Sequence, residues 1–103
     1  MPRLVCVTFP SDGPFGAEAA EACAEPAQDI AAEEGLIWKV WTEDPRASVA
    51  GGDYLFADEQ SAERYIDKHT QRLGSFGITD GEVTVLEVNE ALSRMDHAVL
   101  ERD

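Results

Sequence analysis

The chain has 103 residues, which suits one domain spanning 1–103 and leaves little room for a second. Its net charge is −13, and its basic residues are two lysines, Lys39 and Lys68, and six scattered arginines. With no basic cluster to neutralise phosphates, nucleic acid and anionic membrane surfaces are excluded as partners. Hydrophobic residues make up 44% and charged residues 28%, a globular balance. No apolar run approaches the ~20 residues that cross a bilayer. The apolar stretch near the N-terminus is too short for a signal-peptide core, so a cytoplasmic location is expected.

Residues 4–9 alternate in a β-rich run that stops at Pro10, which reads as a first strand. A turn-rich loop, 11–16, leads into helical composition over 17–34. Gly35 is the expected C-cap, and Pro26 is expected to kink or divide the helix. Its inward stripe is predicted as Ala20, Ala24, Ala27, Ile30 and Ala31. Residues 36–42 form the clearest strand; a loop over 43–50 and a strand over 52–57 follow. Gly51 and Gly52 signal a bulge or a close backbone approach.

Asp58 is a good N-cap for a second helix. Ala62, Tyr65, Ile66, His69 and Leu73 fall at helical spacing on one of its faces. Gly74 and Gly77 end it. Residues 82–88 read as a fourth strand. Asn89 then caps a short helix whose apolar stripe is Leu92, Met95 and Val99. The two cysteines, Cys6 and Cys23, have neither CxxC spacing nor a His cluster, so they read as inert packing thiols and no metal site is expected.

The order β-α-β-β-α-β plus a tail is the ferredoxin-like α+β arrangement with an antiparallel sheet. Two helices cover only one face of four strands, yet the strands are apolar on both. Strict alternation sets Leu36, Trp38 and Val40 against Ile37 and Trp41, with Lys39 between the latter pair. The simplest cover for the second face is another copy of the sheet about a two-fold axis, with the C-terminal tail clasping the partner. A homodimer is therefore expected.

Five segments carry a family resemblance. They are Gly13-Pro14-Phe15-Gly16, Gly35-Leu36-Ile37-Trp38-Lys39-Val40-Trp41-Thr42-Glu43, Ala50-Gly51-Gly52-Asp53-Tyr54-Leu55-Phe56, Lys68-His69-Thr70 with Arg72-Leu73, and Val88-Asn89-Glu90-Ala91-Leu92-Ser93. In this order and spacing the chain resembles the YdhR-type monooxygenases. The resemblance implies a dimeric α+β barrel related to antibiotic-biosynthesis monooxygenases and to some haem-degrading enzymes. Quinone-forming relatives oxidise electron-rich phenols with molecular oxygen and no bound metal or flavin. The implied function is thus cofactor-independent oxidation of a small phenolic or quinol-like aromatic in a pocket between sheet and helices.

Such chemistry requires an apolar pocket, a base that favours the deprotonated substrate, and exclusion of water. His69 is the expected general base, since it sits within an apolar helix face and its ordinary pKa suits proton transfer near neutrality. Tyr54 and Tyr65 are expected to hydrogen-bond a phenol or quinone oxygen. Trp38, Phe15 and Phe56 are expected to contact the substrate. Trp38 and Trp41, three apart on a strand, must face opposite sides. Two other readings are carried: a non-catalytic or stress-related dimer that sequesters a small apolar or aromatic ligand, and haem binding through His69.

Overall fold

The computed structural model describes residues 1–75, 77–78 and 80–102. Four strands, β1 (Arg3–Pro10), β2 (Leu36–Asp44), β3 (Val49–Phe56) and β4 (Glu82–Glu87), form one sheet in the order β2-β3-β1-β4. Every neighbouring pair is antiparallel. The helices α1 (Gly16–Ala22), α2 (Ala24–Ala31), α3 (Glu59–Ser75) and α4 (Glu90–Met95) complete the ferredoxin-like α+β order with an added C-terminal helix.

The long first helix is divided. The break falls at Cys23, three residues before Pro26, because the proline ring cannot tolerate a continuous turn beneath it. The break turns the inward stripe, so that Cys23, Pro26, Ala27 and Ile30 face the sheet while Ala24 and Ala31 are exposed. Phe15 supplies no side-chain cap to α1. Instead Glu43, at the far end of β2, accepts the Gly16 amide at 2.9 and 3.2 Å. A carboxylate at a helix N-terminus is favourable for its field as well as its hydrogen bonds.

The hairpin joining β2 and β3 is tighter than expected. The Asp44 carboxylate accepts the amides of Arg46 and Ala47, an Asx-type turn that lets β2 run to Asp44 and β3 begin at Val49. Gly51 marks a close approach: a Cβ there would collide with the Val7 carbonyl of β1. At the other end of β2, Gly35 has φ +83°, and a Cβ would strike the Ser61 side chain on α3. Asp58 caps α3 as expected, accepting the Ser61 amide at 2.7 Å.

The core lies between the sheet and α2–α3. Val5 and Val7 of β1, Tyr54 and Phe56 of β3, Leu36, Ile30, Ala62 and Tyr65 are all buried there. Complete burial of each larger apolar side chain contributes about 1.5–3 kcal/mol. The opposite sheet face carries Leu4, Leu55 and Trp38 in register, with Val40 and Leu86 about half exposed at its two sides.

The residues after α4 return to their own sheet. The Trp38 indole donates to the Val99 carbonyl at 2.8 Å, Leu100 is buried, and Arg102 donates to the carbonyls of Ala31 and Leu36. Asn89 caps α4 by accepting the Leu92 amide, as its position predicts. The predicted stripe of Leu92, Met95 and Val99 is exposed.

Candidate functional site

A cavity of about 660 Å³ opens between the sheet and the α1–α2 pair, with the C-terminal half of α3 closing one side. Its helical wall is built of small or stubby side chains, Ala19, Ala20, Cys23, Pro26, Ala27 and Ile30. An alanine-rich helix therefore stands off the sheet and leaves volume beneath it. The floor is Trp41 and Tyr54. Polar groups on the walls include Lys39 from β2 and His69 and Arg72 from α3, together with Ser11, Thr42 and Glu43. The volume lies within the range of small-molecule sites, and a mostly apolar lining with a few converging polar groups is their usual composition.

A β-bulge decides which β2 side chains reach the cavity. Leu36 pairs with Phe56 and Trp38 with Leu55, so Ile37 is the extra residue. Leu36 thus faces the helices while Trp38 faces away from them. Beyond the bulge Lys39 and Trp41 share the helix-facing side with Tyr54 and Gly52. The Lys39 ammonium lies 3.3 Å from the Trp41 ring centroid and 4.4 Å from that of Tyr54. Its stem passes over Gly52, where any Cβ would press on the Lys39 Cε. Gly52 is therefore required for the lysine to lie flat across the sheet.

On α3, His69 follows Tyr65 by one helical turn. The Tyr65 hydroxyl and His69 Nδ1 are hydrogen-bonded at 3.2 Å, and their rings stack at 5.3 Å. Tyr54 lies 4.9 Å from Tyr65 between ring centroids. The Tyr65 hydroxyl occupies Nδ1 and leaves Nε2 buried without a partner among the described residues. Arg72 is anchored through Nη2 to Asp29 at 2.6 Å, and its Nη1 is likewise buried and unpartnered.

Burial lowers the Lys39 amine to about 7, with the charge of Arg72 pushing the same way and Cys23 opposing it. Burial also lowers His69 to about 4, reinforced by the charges of Lys39 and Arg72. Tyr54 is raised far above the usual phenol range, first by burial and then by Tyr65. The site thus holds a neutral imidazole and an amine poised near neutrality, beside one fixed cation.

The predicted residues separate into three groups. His69 and Tyr54 line the cavity; Tyr65 stands behind them and reaches it through His69. Phe56 is a fully buried core residue beneath Tyr54 and Tyr65, and Phe15 precedes α1 without lining the cavity. Trp38 lies on the other face of the sheet, where its indole holds the tail, because the bulge reverses its direction relative to Leu36. Trp41 takes the place expected of Trp38. Cys23 is half-buried and lines the cavity at the α1–α2 break instead of packing in the core.

Lys39 and Arg72 were not anticipated as site residues. The available signal was a lone lysine within the apolar run Leu36-Ile37-Trp38-Lys39-Val40-Trp41. Among the described residues no group of three or more His, Cys, Asp or Glu side chains could hold a metal ion. Haem would require His69 Nε2 as axial ligand, and the positive fields of Lys39 and Arg72 at that nitrogen do not suit a cationic iron centre. No helix among the described residues is long and apolar enough to cross a membrane.

A ferredoxin-like α+β domain with an aromatic-floored cavity between sheet and helices, and titratable side chains on its walls, has the composition of a small-molecule site. The sequence profile of the family described as "Putative mono-oxygenase ydhR" matches residues 4–99, nearly the whole chain, which belongs to that family. The chain has no match among the curated proteins.

Proposed function

We propose that the chain is a cofactor-independent monooxygenase that oxidises a small phenolic or quinol-like aromatic with molecular oxygen in the cavity between sheet and helices. The observation that carries this reading is the placement of Lys39 and His69 inside an apolar, aromatic-floored cavity. Trp41 and Tyr54 offer flat surfaces for a planar substrate, and the small side chains of α1 and α2 leave it room.

The chemistry asks the protein for little. A substrate proton passes to a base, and the resulting phenolate or enolate gives one electron to oxygen. The two radicals join through a new carbon–oxygen bond, the peroxide takes the proton back, and water leaves. At a CH2 carbon the two hydrogens depart with one oxygen atom as water, while the other oxygen remains as a carbonyl. Lys39, held near 7, is better matched to take and return the proton than His69, held near 4. His69, locked through Tyr65, orients the substrate oxygen.

Oxygen uptake with a panel of hydroquinones and anthrones tests this. Turnover that falls about 100-fold or more in Lys39→Met, and falls in His69→Ala, is the expected result. Saturable binding of the same panel without oxygen consumption would instead establish a non-catalytic binding protein.

We also propose that the chain works as a homodimer, with a second copy covering the sheet face opposite the helices. The half-exposed Val40 and Leu86 on that face, and the exposed Leu92, Met95 and Val99 of the tail, support this.

A further inference from the structure

The polar end of the cavity has a character opposite to that of the chain. The protein carries a net charge of −13, yet Lys39, His69 and Arg72 bring only nitrogen atoms to this end of the cavity. Two of these atoms are buried with their hydrogen-bonding capacity unused. His69 is 8% exposed, with Nδ1 taken by Tyr65 and Nε2 unpartnered; Arg72 has Nη2 on Asp29 and Nη1 unpartnered. A buried, unsatisfied guanidinium nitrogen is costly, and such groups are retained where something else satisfies them.

All three side chains line the same cavity, and the charges of Lys39 and Arg72 both bear on His69. Tyr54 lies beside two of them, with Lys39 Nζ 4.4 Å from its ring centroid and the His69 ring 5.9 Å away. When Tyr65 donates to Nδ1, the neutral imidazole carries its proton on Nε2, so all three groups act as donors. The Arg72 guanidinium, the Lys39 amine in its protonated form and the neutral imidazole around an apolar cavity match an anionic oxygen group attached to an aromatic body.

We propose that Lys39, His69 and Arg72 form a subsite for an ionised oxygen, so that the cavity selects aromatic compounds bearing a carboxylate or phenolate over neutral aromatics of the same shape. This rests on the reading of the cavity as an aromatic-ligand site and names the class of ligand it takes. Asp29, which fixes the Arg72 guanidinium from the α2 side, is a positioning residue for the subsite.

Calorimetric titration at pH 6 with 2-naphthoate and its neutral counterpart 2-naphthamide separates the two claims. The expected result is naphthoate binding at least about tenfold more tightly than the amide, as one or two charge-assisted hydrogen bonds supply. Lys39→Met and Arg72→Gln should each bring that ratio towards one. Should Arg72→Gln fail to fold, Lys39→Met alone decides, with circular dichroism confirming its fold. Equal binding of the two probes, or an unchanged ratio in Lys39→Met, overturns the anionic subsite while leaving the aromatic cavity standing. If neither probe binds, both the subsite and the aromatic-ligand reading fail.

Discussion

Lys39 Nζ sits 3.3 Å from the centroid of the Trp41 ring, two residues further along the same strand face. Cation–π attraction offsets part of the cost of burying an ammonium, by about 0.5–2 kcal/mol, but does not restore an ordinary lysine pKa. The amine remains near 7, where it exists in both forms at physiological pH. Trp41, Tyr54, Cys23, His69 and Arg72 surround it in the cavity wall, and Glu43 is the carboxylate of that lining.

If the Lys39 amine takes the substrate proton, catalysis depends on its deprotonated fraction. With a substrate whose own pKa exceeds about 9, kcat/KM should rise about tenfold per pH unit below 7 and level off above it. The inflection should vanish in Lys39→Met. An inflection near 7 that survives this substitution would falsify the assignment of Lys39 as the base.

The same burial should cost stability. The folded-state value, about 7, lies below the unfolded value of 10.5, so the unfolded chain binds more protons between these limits. Stability therefore rises as pH climbs from 7 towards 10.5, and the full penalty is present below 7. Lys39→Met, which keeps the stem and removes the charge, should stabilise the protein by about 1–3 kcal/mol at pH 7, a figure discounted for the amine's partial exposure. Urea denaturation at pH 7 and pH 10 should show this gain shrinking at the higher pH. A gain that stays constant across the two pH values would rule out the ionisation of Lys39 as its source.

Tyr65 joins the core to the cavity through one hydroxyl. Tyr65→Phe keeps the packing against Tyr54 and Phe56 but leaves His69 Nδ1 without its partner and takes a hydroxyl from beside Tyr54. The expected cost is about 1–3 kcal/mol in urea denaturation, the penalty for stranding buried polar groups. A loss under about 0.5 kcal/mol would mean that these groups find other partners.

Much of this arrangement is legible in the sequence because local rules govern it. Pro26 breaks its helix, Asp58 and Asn89 cap theirs, and the stripe Ala62-Tyr65-Ile66-His69-Leu73 faces inward at helical spacing. What was not legible is the phase of β2. Alternation from Leu36 puts Trp38 on the core side, whereas the bulge at Ile37 inserts one residue and exchanges Trp38 for Lys39 and Trp41. A bulge answers to cross-strand pairing with β3, which no short-range pattern encodes. Arg72 escaped notice for a related reason: its partner Asp29 is 43 residues away, on another helix.

The sheet face opposite the helices is only partly covered by the chain's own tail. Val40 and Leu86 are each 51% exposed, on β2 and β4 at opposite sides of that face. A second copy packed there would remove both from water, and each buried apolar side chain adds in proportion to its area. The wild-type chain should therefore sediment at twice its own mass at micromolar concentration. Val40→Glu and Leu86→Glu place charges where the single chain already meets solvent, so the far-UV circular dichroism should not change. In a dimer built on this face the same charges are buried unpaired, and such groups are expensive. Both variants should then sediment as single chains. A wild-type chain that sediments at its own mass, or a dimer that both glutamates leave intact, would place any self-association elsewhere and leave this face without a partner copy.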